Sequence, residues 1–302
     1  MRDILAAQFP GLPLEQIERI AEGGGRTYLV DGEIIFRFAV DEADSAKMQR
    51  EAALLAELGP RLPLAVPVQE FLGDASDSYP FIFTGYRKIA GQSGEARRPT
   101  PERWPAIAAQ FGGLLSALHT FPIERAQAHG VPEAPGGTFG AEYRTKDAAS
   151  LLRRVQDFAP VIRKTLPDHV DHETERYLAG HVALPPPSPL APVLCHADIK
   201  GEHIIVSERA DAVLGVIDWS DCCITDPLLD FTGLMIWLGE AFVRQVLGHY
   251  TRPIDDHFLE RVCFYSRCFT LDNLGAWLTT TWDAPLELLL TQMRWAFTEA
   301  SA

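Results

Sequence analysis

Two aspartates and one histidine stand close together in the chain and could act as a group. Asp198 and His203 share a short loop that runs directly into the apolar stretch 204–206, and Asp218 follows the next apolar stretch, 215–217. The polar connection between the stretches is typical of a hairpin, so the three side chains are expected at one end of a two-stranded ribbon. Two carboxylates and an imidazole suit phosphoryl transfer, in which one carboxylate orients the attacking hydroxyl and another holds Mg²⁺ against nucleotide phosphates.

The segments before this ribbon predict a β-rich lobe. A glycine-rich turn is followed by short apolar stretches, two of which are joined by Asp31 and Gly32, a hairpin signal. Apolar periodicity predicts helices over 14–21 and 45–58 and strands over 28–30, 34–38, 66–72 and 81–89. Further along, the pattern predicts helices over 107–119 and 146–179 and from 230 to the end. The predicted fold is therefore α+β, with a small β-rich N-terminal lobe, residues 1–90, and a larger helical lobe, residues 91–302, that carries the ribbon.

Composition excludes several classes of protein. Hydrophobic residues make up 47% of the 302 residues, which excludes a disordered chain, and no apolar run is long enough for a membrane helix. The N-terminus lacks a signal-peptide pattern, and five cysteines without a C-x-x-C pair favour reduced thiols, so a cytoplasmic protein is expected. A net charge of -14 repels nucleic acid and membrane surfaces, so neither partner is expected. The same charge can attract a cationic small molecule, although acidity for solubility alone explains it equally well.

Three motifs carry a resemblance to a known family. The matching residues are His196-Ala197-Asp198 with His203 for H-x-D-x-x-x-x-N/H, Ile217-Asp218 for a metal-binding Ile-Asp, and Asp226-Pro227 with Asp230 for D-P-x-x-D. The chain resembles the aminoglycoside phosphotransferase family of antibiotic kinases, which implies a bilobal protein-kinase-like fold. A histidine at position 203, where the family more often has an asparagine, is similar to two subgroups, the aminoglycoside 2''-phosphotransferases and the macrolide phosphotransferases.

The resemblance implies a role for each motif residue. Asp198 would orient or deprotonate the acceptor hydroxyl, and His203 and Asp218 would bind Mg²⁺. Competing interpretations are a capping or turn-stabilising role for either aspartate and a hydrogen-bonding role for His203. His196 and Asp230 are expected to stabilise the loop rather than to take part in chemistry.

The nucleotide, ATP or GTP, would bind in the N-terminal lobe. Arg37 stands where family members often have a lysine that contacts phosphates, and Glu51 matches the glutamate that pairs with it. An arginine stays protonated and binds oxyanions through two hydrogen bonds, so it can replace the lysine as a phosphate contact. The alternative is that Arg37 is simply an exposed residue on a strand. Further nucleotide contacts are expected from Gly24 and Gly25 in the glycine-rich turn. Thr84 and Tyr86, in the hinge segment 84–89, are expected to contact the nucleotide as well.

The acceptor site is expected in the helical lobe next to Asp198. Fixed carboxylates would bind the ammonium groups of an aminoglycoside-like acceptor, and Glu240 and Asp272 are the expected pair. Two alternatives keep the chemistry but change the acceptor to a macrolide or to a metabolite such as an amino alcohol. An alternative of another class is a nucleotide-binding regulatory module without turnover, which the presence of both Asp198 and Asp218 argues against.

Overall fold

The N-terminal part of the chain is built around an antiparallel sheet. The computed structural model describes residues 1–21, 26–133, 147–282 and 284–298. After a short helix, α1 (Arg2–Gln8), the five-stranded sheet has the order β1-β2-β3-β5-β4. Its strands are β1 (Ile17–Ala21), β2 (Arg26–Val30), β3 (Ile34–Phe38), β4 (Phe71–Gly73) and β5 (Phe83–Arg87). The central strand β3 is rich in β-branched and aromatic residues and pairs Arg37 with Thr84 of β5.

Local signals set the elements on either side of β3. The turn between β2 and β3 contains Asp31 and Gly32, with φ of 49° and 73°, and the Glu33 amide donates to the Val30 carbonyl. Two successive positive φ angles match the twist of paired antiparallel strands. Helix α2 (Glu42–Leu58) follows β3 and begins at Asp41, whose side chain accepts a hydrogen bond from the Asp44 amide. The buried side of α2 carries Glu51 toward the sheet.

The remainder of the described chain is mainly helical. Its helices are α3 (Trp104–His119), α4 (Ile123–Ala128), α5 (Ala148–Thr165), α6 (His172–Leu178), α7 (Leu228–Leu247), α8 (Phe258–Thr279) and α9 (Leu286–Phe297). Two small sheets lie among them, formed by β6 (Gln92–Ser93), β7 (Val193–Cys195), β8 (Ile204–Val206), β9 (Val213–Val216) and β10 (Cys223–Thr225). Strands β8 and β9 pair antiparallel, which confirms the predicted ribbon. Over the described ranges, no helix combines the length and the apolar character that crossing a bilayer requires.

The prediction of a helix over residues 14–21 is wrong. Ile17–Ala21 instead form β1, in which Ile17 pairs with Val30 of β2. A short stretch with apolar residues three apart fits either element, and here the neighbouring strand decides, because pairing with it satisfies the backbone of both.

Two other predicted elements are shorter or divided. Of the predicted strand 66–72, only the end belongs to β4, because Pro67 has no amide to donate and the Val68 amide bonds to the Val66 carbonyl. The predicted helical stretch 146–179 is divided into α5 and α6. Pro167 follows the end of α5 and begins a single 3₁₀ turn, which separates the two helices.

An acidic residue near the end of α2 joins the N-terminal region to the helical one. Glu57 Oε1 lies 2.9 Å from Arg125 Nη2, and Glu57 Oε2 lies 2.8 Å from His129 Nε2. Arg125 belongs to α4, and His129 follows directly after that helix. The C-terminal end of α2 is therefore fixed to the helical region.

Candidate active site

Asp198 lies on the loop after β7, and a buried carboxylate holds this loop. Asp230, near the start of α7, accepts hydrogen bonds from the His196 and Ala197 amides at 3.1 and 2.8 Å. Ala197 has a φ of 70°, which costs energy for a residue with a Cβ and persists because the surrounding bonds maintain it. His196 accepts from the Asp198 amide at Nδ1, 3.2 Å, and donates from Nε2 to the Ile217 carbonyl, 3.1 Å. His196 and Asp230 therefore position the loop.

His203 stands between the two aspartates of the predicted site. Its Nδ1 donates to the Asp198 carbonyl at 2.9 Å and lies 3.3 Å from Asp198 Oδ2, while its Nε2 lies 3.3 Å from Asp218 Oδ2. Because the proton is on Nδ1, a neutral imidazole presents the Nε2 lone pair toward Asp218. One ligand atom from each of the three residues lies within 4.8 Å of the others. This donor set fits a divalent cation, and the carboxylate oxygens are ligands that Mg²⁺ prefers.

Burial and neighbouring charges give the two aspartates different acidities. Burial raises the pKa of Asp198 to about 6, against the lowering effect of Lys200. Burial also acts to raise the pKa of Asp218, but the lowering effects of His203, Arg37, His196 and the Ser220 hydrogen bond outweigh it, so this pKa lies below its usual range. Burial lowers the pKa of His203, which keeps the imidazole neutral near pH 7. An ionised carboxylate and a neutral imidazole are the states in which these groups bind a metal ion.

Arg37 connects this cluster to the N-terminal sheet. Its Nη1 donates to both carboxylate oxygens of Glu51, at 3.1 and 2.9 Å, and its Nη2 lies 4.0 Å from Asp218 Oδ1. Arg37 and Asp218 line a cavity of about 770 Å³ between the sheet and the ribbon, which we call the interlobe cleft. Glu51 is buried behind Arg37 and reaches the cleft only through it.

The other residues predicted to contact the nucleotide do not all line the interlobe cleft. Tyr86 lines the interlobe cleft, whereas Thr84 is buried in the sheet and is not among the cleft-lining residues. Gly24 and Gly25 lie outside the described residues. Several apolar side chains also line the cleft and form walls suited to a flat base, namely Ile35, Met48, Ile205 and Ile217.

A second cavity, of about 360 Å³, opens next to Asp198 and is bounded by α8 and α9; we call it the Asp198 cavity. Neither Glu240 nor Asp272, the predicted acceptor pair, lines it. Glu240 Oε1 lies 2.6 Å from Arg244 Nη2 one turn later on α7. Asp272 is fully buried and pairs with Arg154 of α5. The structure therefore does not bring these two carboxylates together beside Asp198.

Three charged residues around Asp198 fall outside the set predicted from sequence. Lys200, Glu202 and Asp221 line the Asp198 cavity, and Asp221 also lines the interlobe cleft. Lys200 Nζ donates to Asp198 Oδ2 at 3.0 Å. A signal for two of them was present, since Lys200 and Glu202 occupy unspecified positions within the H-x-D-x-x-x-x-N/H stretch.

The fold and the site together define a phosphotransferase. Residues 16–261 match the model of the Phosphotransferase enzyme family, and the chain belongs to this family. This membership confirms the resemblance that the motifs of the catalytic loop and ribbon indicate.

The chain is similar to several proteins of known name. It is 27% identical over 260 residues to the viomycin phosphotransferase of Streptomyces vinaceus, with 82% of each chain covered. Its fold is similar to that of the GDP and kanamycin complex of APH(2'')-IIia, with a TM-score of 0.65, 24% identity and 90% of each chain covered. It is also similar to that of a type I macrolide 2'-phosphotransferase, with a TM-score of 0.62, 21% identity, and 98% of this chain and 95% of the other covered. These likenesses confirm the predicted bilobal protein-kinase-like fold.

Proposed function

We propose that this phosphotransferase transfers the γ-phosphate of ATP or GTP, with Mg²⁺, to a hydroxyl of a cationic, aminoglycoside-like antibiotic. The observation that carries the proposal is the position of His203 between Asp198 and Asp218, with one cavity on the nucleotide side and another beside Asp198. A phosphoryl group held in the interlobe cleft would meet an acceptor in the Asp198 cavity at these side chains. Because the donor is a nucleoside triphosphate, the proposal places the reaction in the cytoplasm.

Each polar residue of the cluster has a proposed task. Asp198 orients the acceptor hydroxyl and takes its proton, for which a carboxylate beside the cavity is placed. Asp218 and His203 hold Mg²⁺, which neutralises charge on the nucleotide phosphates when bound. Arg37, fixed by Glu51, faces those phosphates through the guanidinium that lines the interlobe cleft. Tyr86, Thr84, Gly24 and Gly25 remain proposed nucleotide contacts.

The acceptor class is proposed from charge. The net charge of the chain is -14, and Glu202 and Asp221 line the Asp198 cavity together with Asp198. Carboxylates around a small cavity favour an acceptor with ammonium or guanidinium groups. A macrolide is larger and mostly apolar, so it would leave these carboxylates without partners. A regulatory module without turnover would not need the complete Asp198, His203 and Asp218 cluster.

An acceptor panel with γ-labelled ATP and GTP tests the proposal. Kanamycin, viomycin, erythromycin and choline serve as acceptors, and labelled product is measured for each donor. We expect transfer to kanamycin or viomycin and none to erythromycin. Transfer to erythromycin or choline alone would refute the cationic-antibiotic acceptor, and nucleotide binding without transfer to any of them would support the regulatory module.

A substitution of Asp198 tests its assignment as the general base. Asp198→Asn removes the proton acceptor and keeps the shape, so turnover should fall by about 10³-fold while the variant still folds and binds nucleotide. Asp157→Asn, an exposed aspartate on α5, is the matched control and should retain full activity. Normal turnover of Asp198→Asn would overturn the assignment.

A further inference from the structure

The Asp198 cavity has a divided lining. One part is apolar and comes from Ile236, Ala276, Ala284, Leu288 and Leu289. Trp282, whose side chain is exposed, stands at its edge. The other part is polar and includes two side-chain amides, Asn273 of α8 and Gln292 of α9. A ligand that fills the cavity therefore has one apolar face and one hydrogen-bonding face.

Two side-chain amides of the lining have no partner in the described part of the chain. Gln292 is 8% exposed, Asn273 is less buried, and neither side chain has a hydrogen-bond partner among the described residues. Because both residues line the cavity, their donors and acceptors are open to whatever fills it, water or a ligand. Two such amides on one wall are suited to bind a group that both donates and accepts, such as a hydroxyl or an amide.

Glu202, on the loop that carries Asp198, places a negative charge in the wall of the cavity. Glu202 lines the same cavity, and its Oε2 is buried with no hydrogen-bond partner in the described chain. The nearby ammonium of Lys200 donates to Asp198 instead, so it leaves this oxygen unsatisfied. A buried carboxylate oxygen of this kind costs free energy unless a cation or a donor reaches it.

We propose that Gln292, Asn273 and Glu202 form the acceptor-binding subsite of this enzyme, in place of Glu240 and Asp272. Glu202 binds an ammonium or guanidinium group of the acceptor, and the two amides bind an adjacent hydroxyl or amide. The apolar wall with Trp282 packs against the face of the acceptor ring that lies between these polar groups. This inference rests on the proposed function, because it assumes that the molecule beside Asp198 is the phosphate acceptor.

Two substitutions test the subsite. Gln292→Leu keeps the volume and removes the hydrogen bonds, and Glu202→Gln removes the charge. Kinetics are measured with kanamycin or viomycin, whichever the wild-type enzyme phosphorylates faster, and nucleotide affinity is measured separately by titration with GDP. Gln245→Leu on α7 and Glu208→Gln in the β8–β9 turn are the matched controls, since neither residue lines the Asp198 cavity.

We expect each variant to raise the acceptor KM about tenfold or more, with kcat changed less than threefold and GDP affinity unchanged. If these residues had a purely structural role, the substitutions would instead lower the melting temperature and weaken the binding of both substrates. Acceptor KM values within twofold of wild type in both variants would overturn this inference but not the proposed function. If Gln292→Leu does not fold, Glu202→Gln decides by the same criterion. Failure of the wild-type protein to bind any cationic compound of the panel would overturn the inference together with the proposed acceptor class.

Discussion

The ammonium of Lys200 donates a hydrogen bond to Asp198 Oδ2 at 3.0 Å, so the proposed base carries its own counter-ion. The Asp198 side chain is 14% exposed, and that of Lys200 is 29% exposed. Under the proposed function, the transferred phosphoryl group would pass next to Asp198 and hence near this ammonium. The negative charge of that group is shared by its oxygens during transfer, and a fixed ammonium would stabilise it.

Lys200→Met should therefore lower kcat by about 10²-fold and leave acceptor KM nearly unchanged. Lys200→Arg keeps the charge and should retain more activity than the methionine variant. Steady-state kinetics at saturating nucleotide measure both. Lys164→Met, on the exposed side of α5, is the control. A kcat of Lys200→Met within threefold of wild type would show that the ion pair only holds the loop.

The Arg37 and Glu51 pair predicts coupled losses of nucleotide affinity. Arg37→Met removes the phosphate contact, and Glu51→Gln leaves the guanidinium without its fixed partner, so each should raise the nucleotide Kd about tenfold. The double variant should resemble Arg37→Met alone, because both changes remove one interaction. Calorimetric titration with GDP checks this.

The control for this pair is another ion pair on the same sheet. Arg87 Nε lies 3.2 Å from Glu70 Oε2, and both side chains are exposed. Arg87→Met with Glu70→Gln should leave nucleotide affinity unchanged. Full additivity of Arg37→Met and Glu51→Gln would contradict a shared role.

The imidazole of His203 predicts a metal preference. Imidazole is a softer ligand than an amide oxygen, so the wild-type enzyme should use Mn²⁺ well, and His203→Asn should shift the preference several-fold toward Mg²⁺. The measurement is the concentration of each metal ion that gives half-maximal activity. His181→Asn, at an exposed position, should keep the wild-type ratio. An unchanged ratio in His203→Asn would remove this residue from the metal site.

The buried position of Asp272 predicts a loss of stability rather than of acceptor binding. Asp272→Asn weakens the pair with Arg154 and should lower the free energy of unfolding by about 2 kcal/mol, while acceptor KM stays at the wild-type value. Urea unfolding and steady-state kinetics separate the two effects. A large increase in KM with normal stability would restore Asp272 to the acceptor site.

The contacts of Glu57 predict a pH-dependent contribution to stability. Hydrogen bonds from Arg125 and His129 lower the pKa of Glu57 from 4.5 to about 2. A lowered carboxyl pKa stabilises the folded state above the unfolded pKa and loses that effect as pH falls toward the folded pKa. The difference in stability between wild type and Glu57→Gln should thus be full above pH 4.5 and shrink between pH 4.5 and about 2. Urea unfolding at pH 6, 4 and 3 measures it, and a difference that is constant over this range would contradict the prediction.

Sequence predicts well that Asp198, His203 and Asp218 come together, because their geometry is local. Asp198 and His203 share a loop, and a short hairpin returns the chain to Asp218, so spacing alone brings the three together. The surroundings of Asp272 could not be predicted in this way. Asp272 lies beside Arg154, far away in the chain, and only the packing of α8 against α5 shows that its carboxylate is already occupied.

The first strand of the sheet shows the same limit. Ile17 and its neighbours have a helical spacing of apolar residues, but they pair with β2. Which element forms depends on whether a neighbouring strand offers its backbone, and the spacing within a single stretch does not contain that information.

Helix α2 is held at two points, by Glu51 against Arg37 and by Glu57 against Arg125 and His129. An outward movement of the helix would have to break both sets of contacts before its glutamate could leave the arginine. The two anchors therefore favour the orientation in which Arg37 lines the interlobe cleft.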